Sequence, residues 1–158
     1  MLNMGIDQAL GITGIVITDE NKKLIFYKHL KTNKDDFETK FHRMEFIAHE
    51  IVTIITQYKP NKIIIEGLPF GMTNSNSTRD LAGLQAVIFC KIIQADYVTP
   101  TIITPRACKL KATGDGKADK EKMKNALPAD VLKAFEATGA KKSTGIYDLT
   151  DSFWISQM

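Results

Sequence analysis

The sequence predicts an α/β fold in which a five-stranded mixed sheet is flanked by helices on both faces. Three observations lead there. The chain opens with three short runs rich in β-branched residues, LNMGIDQ, GITGIVIT and LIFYKHL, with the turn-forming DENKK between the last two. A long stretch with apolar residues every three or four positions follows. Then comes KIIIEG, a continuous apolar run of the kind that marks a strand covered on both faces.

Taken in order, residues 2–8, 11–18 and 24–30 are connected closely enough to form an antiparallel meander. From Lys34 to Tyr58 the residues Met44, Ile47, Ala48, Ile51, Val52, Ile55 and Tyr58 share one face, so a long amphipathic helix is expected. Pro60 and Asn61 punctuate the chain before KIIIEG, which places Glu66 at the carboxyl end of a fourth strand. LPFGMTNSNST reads as a loop ending in a helix cap at Ser77 or Thr78. The helix after it, running to about Asp96, is apolar almost all round, with one stripe through Leu81, Leu84, Ile88 and Ile92 and another through Ala82, Ala86, Phe89 and Ile93. One stripe can cover the sheet and a second copy of the chain can cover the other, which predicts a homodimer through residues 78–96. PTIITP supplies a fifth strand, KATGDGKADK a basic glycine-containing loop entering a helix near Lys117, and helices fill the remainder. Strands that alternate with helices after a three-strand start imply a mixed sheet with helices on both sides.

Composition narrows the class. The chain has 158 residues, 44% hydrophobic and 25% charged, which fits a single globular domain over residues 1–158. Its apolar runs are too short to span a bilayer, and MLNMGIDQAL lacks the basic region and long apolar core of a secretory signal. A cytoplasmic protein is therefore expected. Cys90 and Cys108 match no zinc spacing and cannot build a disulfide framework, so both read as free thiols. His29, His42 and His49 are scattered, with no carboxylate or nucleophile at a fixed spacing. The net charge of +3 is modest, but Arg106 to Lys124 holds seven basic residues against three acidic ones. Lys117, Lys120 and Lys124 fall at i, i+3 and i+7, either a solvated helix face or a stripe that tracks phosphates.

Four carboxylates stand where a fold can aim them into one crevice. Asp7 interrupts the apolar first strand and either caps a turn or meets a partner or metal. Glu66 ends the fourth strand, and the carboxyl ends of central strands form the usual ligand crevice of an open sheet. Asp148 and Asp151 are three residues apart and share a helix face, where like charges repel and the helix dipole offsets only part of the cost. Such a cluster, with no dedicated His or Cys, suits hard cations, Mg²⁺ or Mn²⁺. Two such ions can activate water and stabilise the leaving oxygen in attack on a phosphodiester.

With these motifs assembled, the chain resembles the RuvC-like Holliday junction resolvases of the ribonuclease H-like superfamily. MGIDQALGITG is similar to the family's first strand, KIIIEG to its fourth strand with the catalytic glutamate, and DLTDSFWIS to its C-terminal helix beginning DxxD. The resemblance implies a ribonuclease H-like fold. It gives Asp7, Glu66, Asp148 and Asp151 as catalytic metal ligands, with two Mg²⁺ ions, replaceable by Mn²⁺. KATGDGKADKEKM resembles the family's DNA-contacting loop and helix, which implies Lys109, Lys117, Lys120 and Lys124 at junction DNA. Phe70 is the counterpart of an aromatic that stacks against bases, a contact that contributes about 1 to 3 kcal/mol per base. The implied activity is resolution of four-way DNA junctions by paired symmetric nicks from a homodimer. Gln8 departs from the pattern where a proline is frequent, and the size suggests a phage version acting in the bacterial host cytoplasm. Three rivals share features: a nuclease of RNA or RNA:DNA hybrids, an inactive junction-binding protein, and an actin-like phosphotransferase, which needs a second domain to enclose nucleotide.

Overall fold

The computed structural model describes residues 1–68 and 76–158, and Phe70 lies outside them. The strands are β1 (Leu2–Asp7), β2 (Ile12–Asp19), β3 (Leu24–Lys31), β4 (Lys62–Glu66) and β5 (Thr101–Ile103). They form one five-stranded sheet in the order β3-β2-β1-β4-β5. The first three pair as an antiparallel meander, whereas β4 lies parallel to both β1 and β5. The expected mixed sheet is therefore present.

Among the described residues, six α-helices cover it: α1 (Lys40–Tyr58), α2 (Asn76–Gln94), α3 (Pro105–Thr113), α4 (Lys120–Asn125), α5 (Ala129–Ala137) and α6 (Ile146–Ser156). Strand parity divides them between two faces. Met4 and Ile6 of β1, Ile15 and Ile17 of β2, and Ile63 and Ile65 of β4 are buried against α1 and α2. The alternate residues face the other way, where Val16 meets α5 and α6, and Ile64 meets α3, α4 and α6.

The first helix begins later than the periodicity predicted, at Lys40 rather than Lys34. Thr39 is extended, and its hydroxyl accepts from the His42 amide, an N-cap of the kind that contributes about 1 kcal/mol. Residues 34–36 form only a single 3-10 turn. The basic segment also differs from expectation. α3 is closed by Gly114 in the left-handed conformation, φ 76°, and α4 starts only at Lys120, behind the Asp119 cap. Lys117 therefore sits in the turn between two helices, and the stripe Lys117, Lys120, Lys124 does not form.

Candidate active site

Parity also aims the acidic side chains. Ile6 of β1 pairs with Ile65 of β4, so Asp7 and Glu66, one residue on, leave neighbouring strands at the same level and on the face away from α1. That face is crossed by α6. Its approach requires glycine: a Cβ built on Gly14 would lie 2.6 Å from the Asp148 carbonyl carbon, and one on Gly5 would lie 2.5 Å from the Ser156 amide nitrogen. With no side chain at either position, the helix backbone rests directly on β1 and β2 and brings Asp148 and Asp151 to the strand ends.

Ser152 fastens this arrangement, accepting from the Asp7 amide at 3.2 Å and donating to the Asp148 carbonyl at 2.7 Å. At the other end of α6, the Thr18 and Ser156 hydroxyls are 3.1 Å apart. Phe153 is buried with α5 and β2, Ile155 with Ile64 and Cys108, and the Trp154 indole donates to the Met123 carbonyl. Across the crevice, Gln8 and Gln85 each donate a side-chain hydrogen bond to the Glu66 carbonyl.

The electrostatics follow from four acids sharing a partly enclosed space. Burial raises the Asp7 carboxyl well above its ordinary range, and the charges of Asp151 and Glu66 raise it further. Burial and then Asp151 push Glu66 up to about 7, against the opposing pull of Lys120 and Lys109. Asp148 and Asp151 are also raised, burial being the main cause in each. Asp7 feels the charge of all three of the others, so the four predicted residues lie within electrostatic reach of one point.

Lys120 joins them, its Nζ standing 3.0 Å from Asp151 Oδ2. A cavity of about 190 Å³ is lined by Glu66, Pro105, Lys109, Lys120, Met123 and Asp151. Lys109 and Lys120 thus stand at the carboxylates. Lys124 is committed elsewhere: it pairs with Glu121 at 2.8 Å, alongside Lys142 and the Tyr147 hydroxyl. The three partners hold Glu121 down at about 2.

Sequence reasoning missed three contributors. Gly5 and Gly14 were visible only as glycines in strands, whereas the helix crossing them comes from the far end of the chain. His29 lies packed on Gly145, and the Asp148 charge acts on it although burial lowers its pKa overall. Of the two free thiols, Cys90 is exposed in the single chain, while Cys108 is buried and hydrogen-bonds weakly to the Asp151 carbonyl.

The acidic side chains at this centre offer carboxylate oxygens, and Asp151 Oδ1 is buried without a hydrogen-bond partner, as a carboxylate oxygen kept for a cation would be. The donor set fits a hard divalent ion. Among the described residues, however, no three Asp, Glu, His or Cys side chains converge as a preformed ion cage.

The strand order, the antiparallel start and the acidic crevice define a ribonuclease H-like protein. Comparison with known proteins narrows the class: the family described as crossover junction endodeoxyribonuclease RuvC matches residues 3–139, and the chain belongs to that family. A RuvC from Rickettsia africae is 32% identical over 126 residues, covering 78% of each chain. One from Christiangramia forsetii is 28% identical over 129 residues, covering 81% of this chain but 66% of its own length, slightly under two thirds. The structure of Thermus thermophilus RuvC in complex with Holliday junction substrate superposes with a TM-score of 0.73 at 19% identity, covering 99% of this chain and 90% of that one. The family match stops before α6, and Asp148 and Asp151 are tied to the site by the packing of that helix on β1 and β2.

Proposed function

We propose that this protein is a Holliday junction resolvase, a structure-selective endonuclease that cuts four-way DNA junctions by paired symmetric nicks. The observation that carries the reading is the placing of four partly or wholly buried carboxylates at the ends of β1 and β4 and on α6, each with its pKa raised chiefly by burial, in a chain of the RuvC family. Asp7, Glu66, Asp148 and Asp151 would hold the metal. Mg²⁺, or Mn²⁺ in its place, suits the oxygen donors, and two ions supply an activated water and a Lewis acid for the leaving oxygen. The chain's own part is to hold the carboxylates on strand ends and a packed helix, and to present Lys109, Lys117 and Lys120 to phosphates. Lys124, bound to Glu121, is the weakest of the predicted DNA contacts.

Pairing of the nicks calls for two active sites, and α2 offers the surface for a homodimer. Its Leu84, Ile88 and Ile92 are buried, whereas Ile93 is 56% exposed and Ile102 of β5 is 53% exposed. Ile102 lines a shallow groove with Ala82, Gln85, Ala86 and Phe89. A second copy covering this face would put two crevices in one symmetric particle, matched to the near-twofold symmetry of a four-way junction. No helix among the described residues is long and apolar enough to cross a membrane, and the cytoplasm is the compartment that fits the substrate.

The test compares cleavage of a synthetic four-way junction, a matched linear duplex and an RNA:DNA hybrid in Mg²⁺, with Asp7→Asn as control. Selective, symmetric nicking of the junction that the substitution abolishes is the expected result. Equal cutting of junction and duplex, or activity surviving in Asp7→Asn, overturns the assignment. Preferential cutting of the hybrid transfers it to a ribonuclease, and junction binding without cleavage leaves a binding protein.

A further inference from the structure

One ammonium group stands in ion-pair contact with the acidic centre. Lys120 Nζ touches Asp151 Oδ2, and its charge interacts with Asp7 and Asp148 as well. The two partners are unequally placed. The Asp151 side chain is 8% exposed and cannot move without disturbing α6, whereas that of Lys120 is 53% exposed, at the first residue of the six-residue α4. The lysine can leave the pair by rotating its own side chain. Asp151 Oδ1, the oxygen the lysine does not reach, is buried and unpartnered, so the ammonium meets only half of the carboxylate's capacity for ligands.

We propose that Lys120 is a displaceable counter-ion: its ammonium neutralises Asp151 until a divalent cation takes over that carboxylate, and is then released toward the DNA backbone. This inference rests on the metal-dependent reading of the site. A buried carboxylate among three others is costly to leave uncompensated, and a single mobile ammonium meets that need with one exposed hydrogen-bonding group. A divalent ion would carry twice the charge and could draw on more than one of these carboxylates, so it would displace the lysine when present at sufficient concentration.

The exchange links metal to substrate. A phosphate offers the released ammonium a second partner, so DNA that draws Lys120 outward favours the ion. By reciprocity the ion favours DNA by the same factor. Lys120 differs in this from Lys117, which is exposed in a turn whose backbone amide is held by Asp115, and from Lys124, which stays on Glu121.

Two measurements on the full chain without DNA test the proposal. In the first, brief acetylation with an N-hydroxysuccinimide ester is read residue by residue by mass spectrometry, in EDTA and in Mg²⁺. Labelling of Lys120 should rise several-fold with Mg²⁺ while that of Lys117 stays constant, and a Lys120 rate unchanged or reduced by the ion overturns the proposal. In the second, Mn²⁺ binding is followed by electron paramagnetic resonance. Lys120→Met should bind the ion about fivefold more tightly than the native protein, the scale of one partly exposed ion pair, and Lys120→Arg should stay close to native. Ion binding that Lys120→Met leaves equal or weaker overturns the counter-ion role alone. Failure of the native protein to bind Mn²⁺ overturns the metal reading and this inference together. Because the labelling uses the native chain, it decides the matter even where a variant is poorly folded.

Discussion

Replacing Gly14 with alanine should damage catalysis more than stability, because the added methyl group strikes the backbone that carries the acidic pair. The new Cβ would run into the Asp148 carbonyl, its oxygen nearest and its carbon at 2.6 Å, while ordinary contact begins at 3.4 Å, so α6 must retreat by at least about 0.8 Å. The obstacle is helix backbone, which cannot rotate aside as a side chain can. Overpacking of this kind costs roughly 1 to 3 kcal/mol, a fall of several degrees in Tm for a domain of this size. Displacing two metal ligands by most of an ångström should lower the rate about a hundredfold, the scale found when catalytic groups are misplaced by 1 Å. The assay is single-turnover cleavage of a four-way junction in Mg²⁺, with junction affinity measured separately in Ca²⁺ and Tm by calorimetry. A Gly14→Ala protein that cleaves within about threefold of the native rate would refute the claim that direct helix-on-strand contact sets the geometry. Gly11→Ala is the matched control, since nothing lies within 4 Å of a Cβ there.

Several other outcomes follow from the same geometry. Glu66 is held at about 7, above its unfolded value near 4.5, so the folded state binds the extra proton between those limits. Stability in EDTA, measured by denaturant titration, should accordingly fall as pH rises from about 5 to 8. Mn²⁺ affinity should rise with pH up to about 7 and level off above it, because the ion must displace the proton. Cys108 should react with a thiol reagent only on unfolding, since burial raises its thiol and encloses it, as thiol titration with and without denaturant would show. Lys117→Ala should weaken junction binding and lower its salt dependence by about one counterion, whereas Lys124→Ala should leave affinity within about twofold of native, as a filter-binding salt series would show.

The sequence was most legible where a short period coincided with a single environment. KIIIEG needed no tertiary context to be read as a buried strand ending in Glu66, and DLTDSFWIS placed its acids on one helix face. The beginning of α1 was misread because residues 34–36 can form a helical turn, yet Thr39 offers its hydroxyl to the His42 amide and stops the helix there. The lysine stripe failed for a similar reason: Gly114 and Asp119 end one helix and start another, so Lys117 and Lys120 never share a face. In hindsight Thr104 followed by Pro105 marks the start of α3 as clearly as any cap in the chain. What no local pattern could reveal is contact across the fold, such as Lys120 with Asp151, or Gly5 and Gly14 with a helix more than 130 residues away.

Those long-range contacts explain why the second pair of acids comes from a helix. Of the two carboxylates on adjacent parallel strands, Glu66 already raises the pKa of Asp7, and a third strand could add another only at the spacing of the sheet. A helix laid across β1 and β2 approaches from above, and its i and i+3 positions both reach the strand ends. The cost is a cluster of four acids whose ionised forms all disfavour folding. It is offset by contacts that do not involve the acids: glycines that admit the helix, Ser152 bonded to both β1 and the α6 backbone, and Phe153, Trp154 and Ile155 tied into separate parts of the core. Apolar packing of α6 therefore holds the acidic centre in place against its own repulsion. A cation, whether the Lys120 ammonium or a divalent ion, relieves that repulsion, which makes the binding of positive charge favourable at this one point of the surface.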